Sequence, residues 1–599
     1  SYALYTNSTG TGNVAVGSSS LQVSTTASNN VALGFQSGQA ITTGTDNVFI
    51  GSGVGKIFTT TTHNVGIGSN VMTLGNATGG FYNVNIGYKA GETTGGGDYE
   101  VKIGYEAGKF ASNGKNVMIG YQAGMNFTHD SNIAIGRSCL TNATGATMTH
   151  IVGVGTGCMT SLTTGSRNTA FGGNDVMNSL TTGTDNAAFG YHCGRFMTTS
   201  SENAYFGKEA GTGKQDGSAN QTGGKNSAFG FKAGFVMQGA VVSNSFFGAE
   251  TGSTTTTGDE NTGIGAKALY LNLTGTRNVA VGNNASYTNS TSTNNVAVGH
   301  NALYTNTGGD NVAIGYKALY ANTSAAENVA IGGNALEDNT TGTDNTAVGF
   351  GCLRNNTTAA RNTAVGNYSM LTNTTGADNT GIGTWTLYSS TTGSNNVALG
   401  KSALYNNTSA SDNTAVGYHA LVSNTTGASN TAVGKIALED CTTGIKNTGI
   451  GMGAGMNITT GVSNVAVGYH SLNQNLTGGS NTALGMTALH LCTSSNNTGV
   501  GTQALYSMTS GGSNTAVGKD AGQAITTSGN NVAIGYQSQN STNTGAGNTA
   551  VGTFSLAVNT TGSNNAALGL YALYGSTTSS KNVAMGYRAL ANHTTGDNN

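Results

Sequence analysis

Down the whole chain a bulky apolar residue is followed at once by glycine, and the pair returns at a nearly fixed interval. The glycine anchors run Gly17, Gly34, Gly51, Gly68, then less evenly to Gly248 and Gly265. From Gly265 to Gly586 the step is 17 residues, with two steps of 16 (Gly299 to Gly315, Gly485 to Gly501), and the chain holds 34 anchors. A representative unit is Asn328–Asp344, NVAIGGNALEDNTTGTD, numbered here as positions 1 to 17 with Gly332 at position 5. Positions 1 to 5 alternate small-polar and apolar residues, the period of a strand. Asn, Thr and Gly at positions 12 to 15 read as a turn. Seventeen residues are too few for a helical-hairpin repeat or a propeller blade. The pattern predicts an all-β parallel β-solenoid of about 34 coils, each a short strand, bend, short strand and turn, with no helix longer than one turn. At the inter-strand spacing of ~4.8 Å the coils would make a rod of roughly 160 Å.

Position 4 is bulky and apolar in every coil, from Val16, Leu33 and Ile50 to Val551, Leu568 and Met585, and position 9 is usually Leu in the second half, as in Leu303, Leu319 and Leu336. These rows are expected to fill the interior, so Val416→Asp is expected to open a local defect. Five consecutive coils carry Phe at position 4 (Phe171, Phe189, Phe206, Phe229, Phe247) and imply a wider or bent interior there. With positions 2 and 4 inward, alternation sends position 3 outward. In the 20 coils from Gly265 to Gly586 that position is always Ala or Gly, whereas the first half has Asn85, Lys102, Met118 and Tyr205. The restricted row makes Ala280, Ala297, Ala313, Ala330 and Ala347 a candidate chain-packing face, with identical chains as partners in a homotrimer or bundled filament. Position 1 is Asn in 32 of 34 coils, the exceptions being Glu100 and Ile151. That frequency fits a structural Asn ladder, including Asn278, Asn295, Asn311, Asn328 and Asn345, and not catalysis.

Regularity divides the chain. Residues 1–257 form an irregular solenoid segment, with spacings of 16 to 23 residues, loop insertions and frequent Gly at position 9 (Gly91, Gly108, Gly124, Gly211, Gly234). Residues 258–599 form the regular segment. Both ends stop within a repeat, which reads as a piece of a longer array.

Composition narrows the functional classes. Gly is 95 of 599 residues, charged residues are 8%, Pro is absent and the net charge is −2. This gives no electrostatic footprint for nucleic acid, and no apolar run is long enough to insert in a membrane. The absence of Pro suits a chain whose strands are nearly all central. Cys139, Cys158, Cys193 and Cys352 replace Ala at position 8, and Cys441 and Cys492 replace Asn at position 12. They read as small-residue substitutes, since no CxxC pair marks a metal site. His192, His419 and His470 share position 7 with no fixed partner and read as surface residues. No nucleophile–base constellation emerges, so no enzyme activity, cofactor or metal is expected. Asn339, Asn373, Asn424 and Asn559 open Asn-x-Thr/Ser triplets, which match a glycosylation acceptor and equally suit the turn. Tyr at position 6 (Tyr316, Tyr418) and position 10 (Tyr270, Tyr304, Tyr320, Tyr388, Tyr405) forms a candidate aromatic surface stripe, suited to sugars or a neighbouring subunit because Tyr pairs an apolar body with a polar tip.

Asn-[Thr/Val]-Ala-[Val/Ile]-Gly followed by Ala-Leu and Asn-Thr-Thr-Gly resembles the repeats of long phage tail fibres and large bacterial surface proteins. It is also similar to the head repeat of trimeric autotransporter adhesins, whose coils are shorter. The resemblance covers essentially the whole chain. It implies left-handed winding, three chains, and an extracellular fibre on a virion tail or bacterial surface that attaches to cell-surface polysaccharide. An ice-binding solenoid is the alternative from another class, although Thr at positions 13 and 14 lies in the turn. A polysaccharide-degrading fibre is the remote third reading.

Overall fold

The computed structural model describes residues 2–75, 78, 80–94, 97–112, 114–145, 148–214 and 221–599. The longest irregular step, between Gly207 and Gly230, thus includes residues 215–220 that lie outside this description. The fold is all-β, with no helix among the described residues. Two compact units, Ser1–Thr307 and Gly308–Asn599, are both parallel solenoids. The change in regularity at residue 257 falls inside the first. Each unit holds a parallel ladder of 17 strands, from Val14–Val16 to Val296–Val298 in the first and from Val312–Ile314 to Val583–Met585 in the second. Nearly every strand is three residues, positions 2 to 4, paired in register with the next coil: Val329 with Thr346, Ala330 with Ala347, Ile331 with Val348.

The regular coil has one strand and not two. Its remaining residues are turns, yet they stay tied to the neighbouring coil. Leu336 N–H donates to Cys352 O (3.0 Å), Asp338 to Arg354 O (2.9 Å) and Thr340 to Thr357 O (2.9 Å). The backbone polar groups of the turn are thereby satisfied between coils. The chain curls tightly enough by placing positions 7, 9 and 17 in the left-handed region: Asn334 at φ 58°, Leu336 at 51°, Asp344 at 59°. For a leucine this conformation costs on the order of 1–2 kcal/mol, and the inter-coil bonds and the burial of its side chain offset it. Asn at position 1 has no such φ; the corner is turned one residue earlier, at position 17. At position 5 glycine is required twice over: Gly332 has φ 135°, and a Cβ there would collide with the carbonyl of Gly349.

The strand faces the opposite way from the expectation. Position 3 points inward: Ala280, Ala297, Ala313, Ala330 and Ala347 are fully buried, and a Cβ on Gly449, at the same position, would touch Leu438. These alanines are not a chain-packing face. Asn85, Lys102, Met118 and Tyr205 are likewise interior. Position 4 points outward, with Ile314 38% and Leu399 44% exposed. The five phenylalanines stack on the outer face of the sheet, centroids 4.6 to 6.2 Å apart, and no widened interior holds them. The physical reason is size. A 17-residue coil closes on a bore so narrow that Ala from the strand meets Ala and Leu from positions 8 and 9 across it. Small residues do mark a close approach, but it is the coil's own opposite wall that approaches.

The interior conserves volume, as close packing demands. Where position 3 is large, position 9 is Gly: Phe49 with Gly55, Asn85 with Gly91, Lys102 with Gly108, Met118 with Gly124, Tyr205 with Gly211, Phe246 with Gly252. A Cβ on Gly55, Gly211 or Gly252 would strike the paired aromatic ring. Where position 9 is Gly and position 3 stays small, position 12 turns apolar, as in Ile41, Met197, Ile458 and Ile525.

Candidate functional surfaces

The Asn ladder is present and interior. Asn278 donates from N and Nδ2 to Asn261 Oδ1 (3.0 and 3.2 Å), and Asn295 repeats this on Asn278. Asn328 N donates to Asn311 Oδ1 (3.1 Å), and Asn345 bonds Asn328 from both nitrogens (3.0 and 3.2 Å). A second ladder, which the turn reading concealed, runs at position 12: Asn339 to Asn322 (3.1 Å), Asn356 to Asn339 (2.8 Å), Asn373 to Asn356 (3.0 Å). Both ladders converge on the carbonyl at position 15. Asn328 Nδ2 and Asn339 Nδ2 each reach Gly342 O at 3.0 Å, and Asn345 and Asn356 share Ala359 O.

This burial decides the glycosylation triplets. Asn339, Asn373, Asn424 and Asn559 are buried, and their amide nitrogens donate to Gly342, Gly376, Gly427 and Gly562 carbonyls at 2.8 to 3.0 Å. Folded protein secreted from a glycosylating host is expected to carry no sugar at these four sites. Peptide mass mapping checks this, and a glycan on any of the four in native material would contradict the burial.

One coil replaces a ladder amide by a charge. Glu100 and Lys102, both buried, pair at 2.6 Å inside the solenoid. Burial pushes the Glu100 carboxyl up, with Lys102 pulling the other way. All six cysteines are free and buried. Burial pushes the Cys193 and Cys441 thiols up to about 12, which leaves them unreactive at neutral pH. His192, His419 and His470 are half-buried on the outside of the coil. No group of three His, Cys, Asp or Glu among the described residues is placed to hold a metal ion, and no helix is long and apolar enough to cross a membrane.

Three outer surfaces remain. The first is aromatic. At position 10, Tyr270, Tyr287 and Tyr304 stack at successive spacings of 5.0 Å, and Tyr388 stacks on Tyr405 at 5.0 Å. Tyr287 completes the row between residues already singled out. At position 6, Tyr316 and Tyr418 are exposed. Charged position-7 side chains link the rows: Lys317 Nζ lies 5.6 Å from the Tyr316 ring and 5.2 Å from that of Tyr320. The Glu337 carboxylate, 3.3 Å away, holds Lys317 protonated above the usual range. His419 stacks on Tyr418 at 3.9 Å. The second surface is the turn at positions 13 and 14. There Thr340, Thr357, Thr374 and Thr391 donate their hydroxyls to the next coil's carbonyl (2.8 to 3.1 Å), and Thr341, Thr358, Thr375 and Thr392 are exposed. The third is the sheet face of positions 2 and 4. In the first unit an open polar groove of about 610 Å³ is lined by Gly97, Asp98, Tyr99, Gly114, Lys115, His129, Asp130 and Thr149. Part of its polarity is structural, since Asp98 caps Phe81 N at 2.7 Å.

A scan of protein-family models finds no match to this chain, and a search of curated proteins finds none either.

Proposed function

We propose that the chain is a structural and adhesive fibre protein of a virion tail or bacterial surface, presenting a repetitive outer surface to cell-surface polysaccharide. The observation that carries this reading is the Tyr270–Tyr287–Tyr304 row, which repeats one ring per coil at 5.0 Å over three coils and is bordered by Lys267, 5.6 Å from the Tyr270 ring. A polymer of identical sugars offers apolar ring faces and hydroxyls at its own fixed period. A ladder of amphipathic rings can meet several of them at once, so weak contacts add by multivalency. The reading gives the chain no catalytic role. Its extracellular placement rests on the repeat resemblance.

Binding of the intact chain to immobilised surface polysaccharides tests it. Tyr270→Ala, Tyr287→Ala and Tyr304→Ala together are expected to weaken binding at least tenfold, about 1.4 kcal/mol, with an unchanged circular dichroism spectrum. A parent chain that binds no polysaccharide, or a triple variant that binds equally, sinks the adhesive reading.

A second reading, ice binding, is favoured by one specific observation. The outward pairs of the second unit are often Thr with a β-branched residue, as in Thr346/Val348, Thr363/Val365 and Thr380/Ile382, and they are in register along the ladder. Thermal hysteresis of the purified chain decides between the readings.

A further inference from the structure

The sheet face carries an inference beyond adhesion. Positions 2 and 4 are its outward residues, and the chain's own repeats serve as an internal control on what that face tolerates. In 34 strands neither position ever holds a charged residue, an amide, Gly or Pro; only Val, Ile, Leu, Phe, Met, Thr, Ala and Ser occur. The neighbouring outward positions behave differently. Position 7 holds Lys89, Glu106, Lys232 and Lys317, and position 17 holds Asp344, Arg361, Asp378 and Lys446. A freely solvated strand face would sample the same polar residues. Along the second unit the exposed row runs through Ile314, Ile331, Ile382, Leu399, Ile450 and Leu484, an apolar surface of the kind that marks an interaction site.

Two further features point to a covered face. Side-chain size is traded across it. The five coils with Phe at position 4 have Thr169, Ala187, Ala204, Ser227 and Ser245 at position 2, where most other coils of the first unit have Val. Such compensation preserves the level of a packed surface and serves no purpose on a wet one. The area is also sufficient. Seventeen strands at ~4.8 Å, with a face on the order of 10 Å wide, offer roughly 800 Å² per unit, the amount each partner contributes to a stable standard-size interface.

We propose that this face is covered by the same face of a second copy of the chain, sheet against sheet. A partner must match apolar ridges that recur once per coil, and an identical solenoid has that period. The absence of charge removes like-charge repulsion between two copies. Each strand offers one such face, so flat pairing closes at two chains in an isologous dimer. The alanine row gives no support to a trimer, since that row is interior, and three chains rest on the repeat resemblance alone.

Sedimentation equilibrium of the full chain, 59.9 kDa, tests the pairing at micromolar concentration. The parent is expected at twice the chain mass. Ile50→Lys, Ile119→Lys, Ile331→Lys, Ile382→Lys and Ile450→Lys together, which charge the face of both units, should reduce it to the chain mass, while Thr341→Lys, Thr375→Lys and Thr443→Lys, on the turn surface, should leave it dimeric. Circular dichroism verifies that both variants fold. If the Ile variant fails to fold, Phe206→Cys, Val298→Cys and Val416→Cys, all at position 4, serve instead, each alone and mixed in pairs, and oxidation should yield a disulfide-linked dimer in at least one combination. A monomeric or trimeric parent, an Ile variant of undiminished mass, or Cys variants that cross-link in no combination overturns the proposal. A monomeric parent with thermal hysteresis that the Ile variant loses would assign the face to ice.

Discussion

Ala415→Asp is expected to open the solenoid around residue 415 to protease, whereas Val416→Asp, one residue further, leaves it closed. Ala415 is fully buried and pairs in register with Ala398 and Ala432 of the flanking coils. An aspartate there must desolvate its charge in a bore built for methyl groups, with no cation in reach. Such a change costs about 3–5 kcal/mol. Val416 is half-buried on the outer face, and an aspartate there keeps its water, at a cost within about 1 kcal/mol for the single chain. Limited proteolysis with mass mapping, at a dilution that keeps chains apart, separates the two. Equal sensitivity, or the reverse order, would mean that the strand faces the other way. Because each coil contacts only its neighbours, the damage should stay local and not unfold the whole array.

Asn379→Leu is expected to produce the second large effect, of similar size but different origin. Asn379 Oδ1 accepts from Asn396 N and Nδ2 (2.9 and 3.1 Å), and its Nδ2 donates to Gly393 O (2.8 Å). Leucine is close in volume, so packing changes little, but the backbone N–H of Asn396 loses its acceptor and the carbonyl of Gly393 loses the Asn379 donor inside the coil. At about 1–3 kcal/mol for each buried group left unsatisfied, the local loss is about 3–5 kcal/mol. Hydrogen exchange should show faster amide exchange at Asn396 and in its two flanking coils, and unchanged protection there would count against a structural ladder. The chain contains its own exception in Ile151. Its N–H still donates to Asn132 Oδ1 at 3.0 Å, and the strands that follow, Val152–Thr156 and Thr169–Asn174, are the longest of the ladder. Added strand pairing compensates a missing rung there, and the coil of Asn379, with the usual three-residue strand, has no such reserve.

The two ladders show how far repetition can be read. Asn at position 1 in nearly every coil had no reading compatible with catalysis, and the hydrogen bonds follow from stacking identical amides at one strand spacing. Asn at position 12 carried the same signal in the second half, but the Thr-Thr-Gly after it matched a surface turn so well that its burial was hidden. The Tyr rows were legible for the same reason as the first ladder: identical rings one coil apart can only stack.

Taken alone, the sequence determined the coil length, the parallel in-register stacking, the Leu row in the bore, the first Asn ladder and the cysteines as small buried substitutes. All of these follow from periodicity, because a residue recurring every 17 positions must lie above its counterpart. What only the tertiary structure decided was direction. Alternation divides positions 2, 3 and 4 into two faces without saying which is inside, and hydrophobicity misleads when the bulkier residues are the outer ones. The closure of the coil settles it. The left-handed turns at positions 7 and 9 bring Ala and Leu back against position 3, and the space left between them admits a methyl group, or a larger side chain only where Gly replaces that Leu.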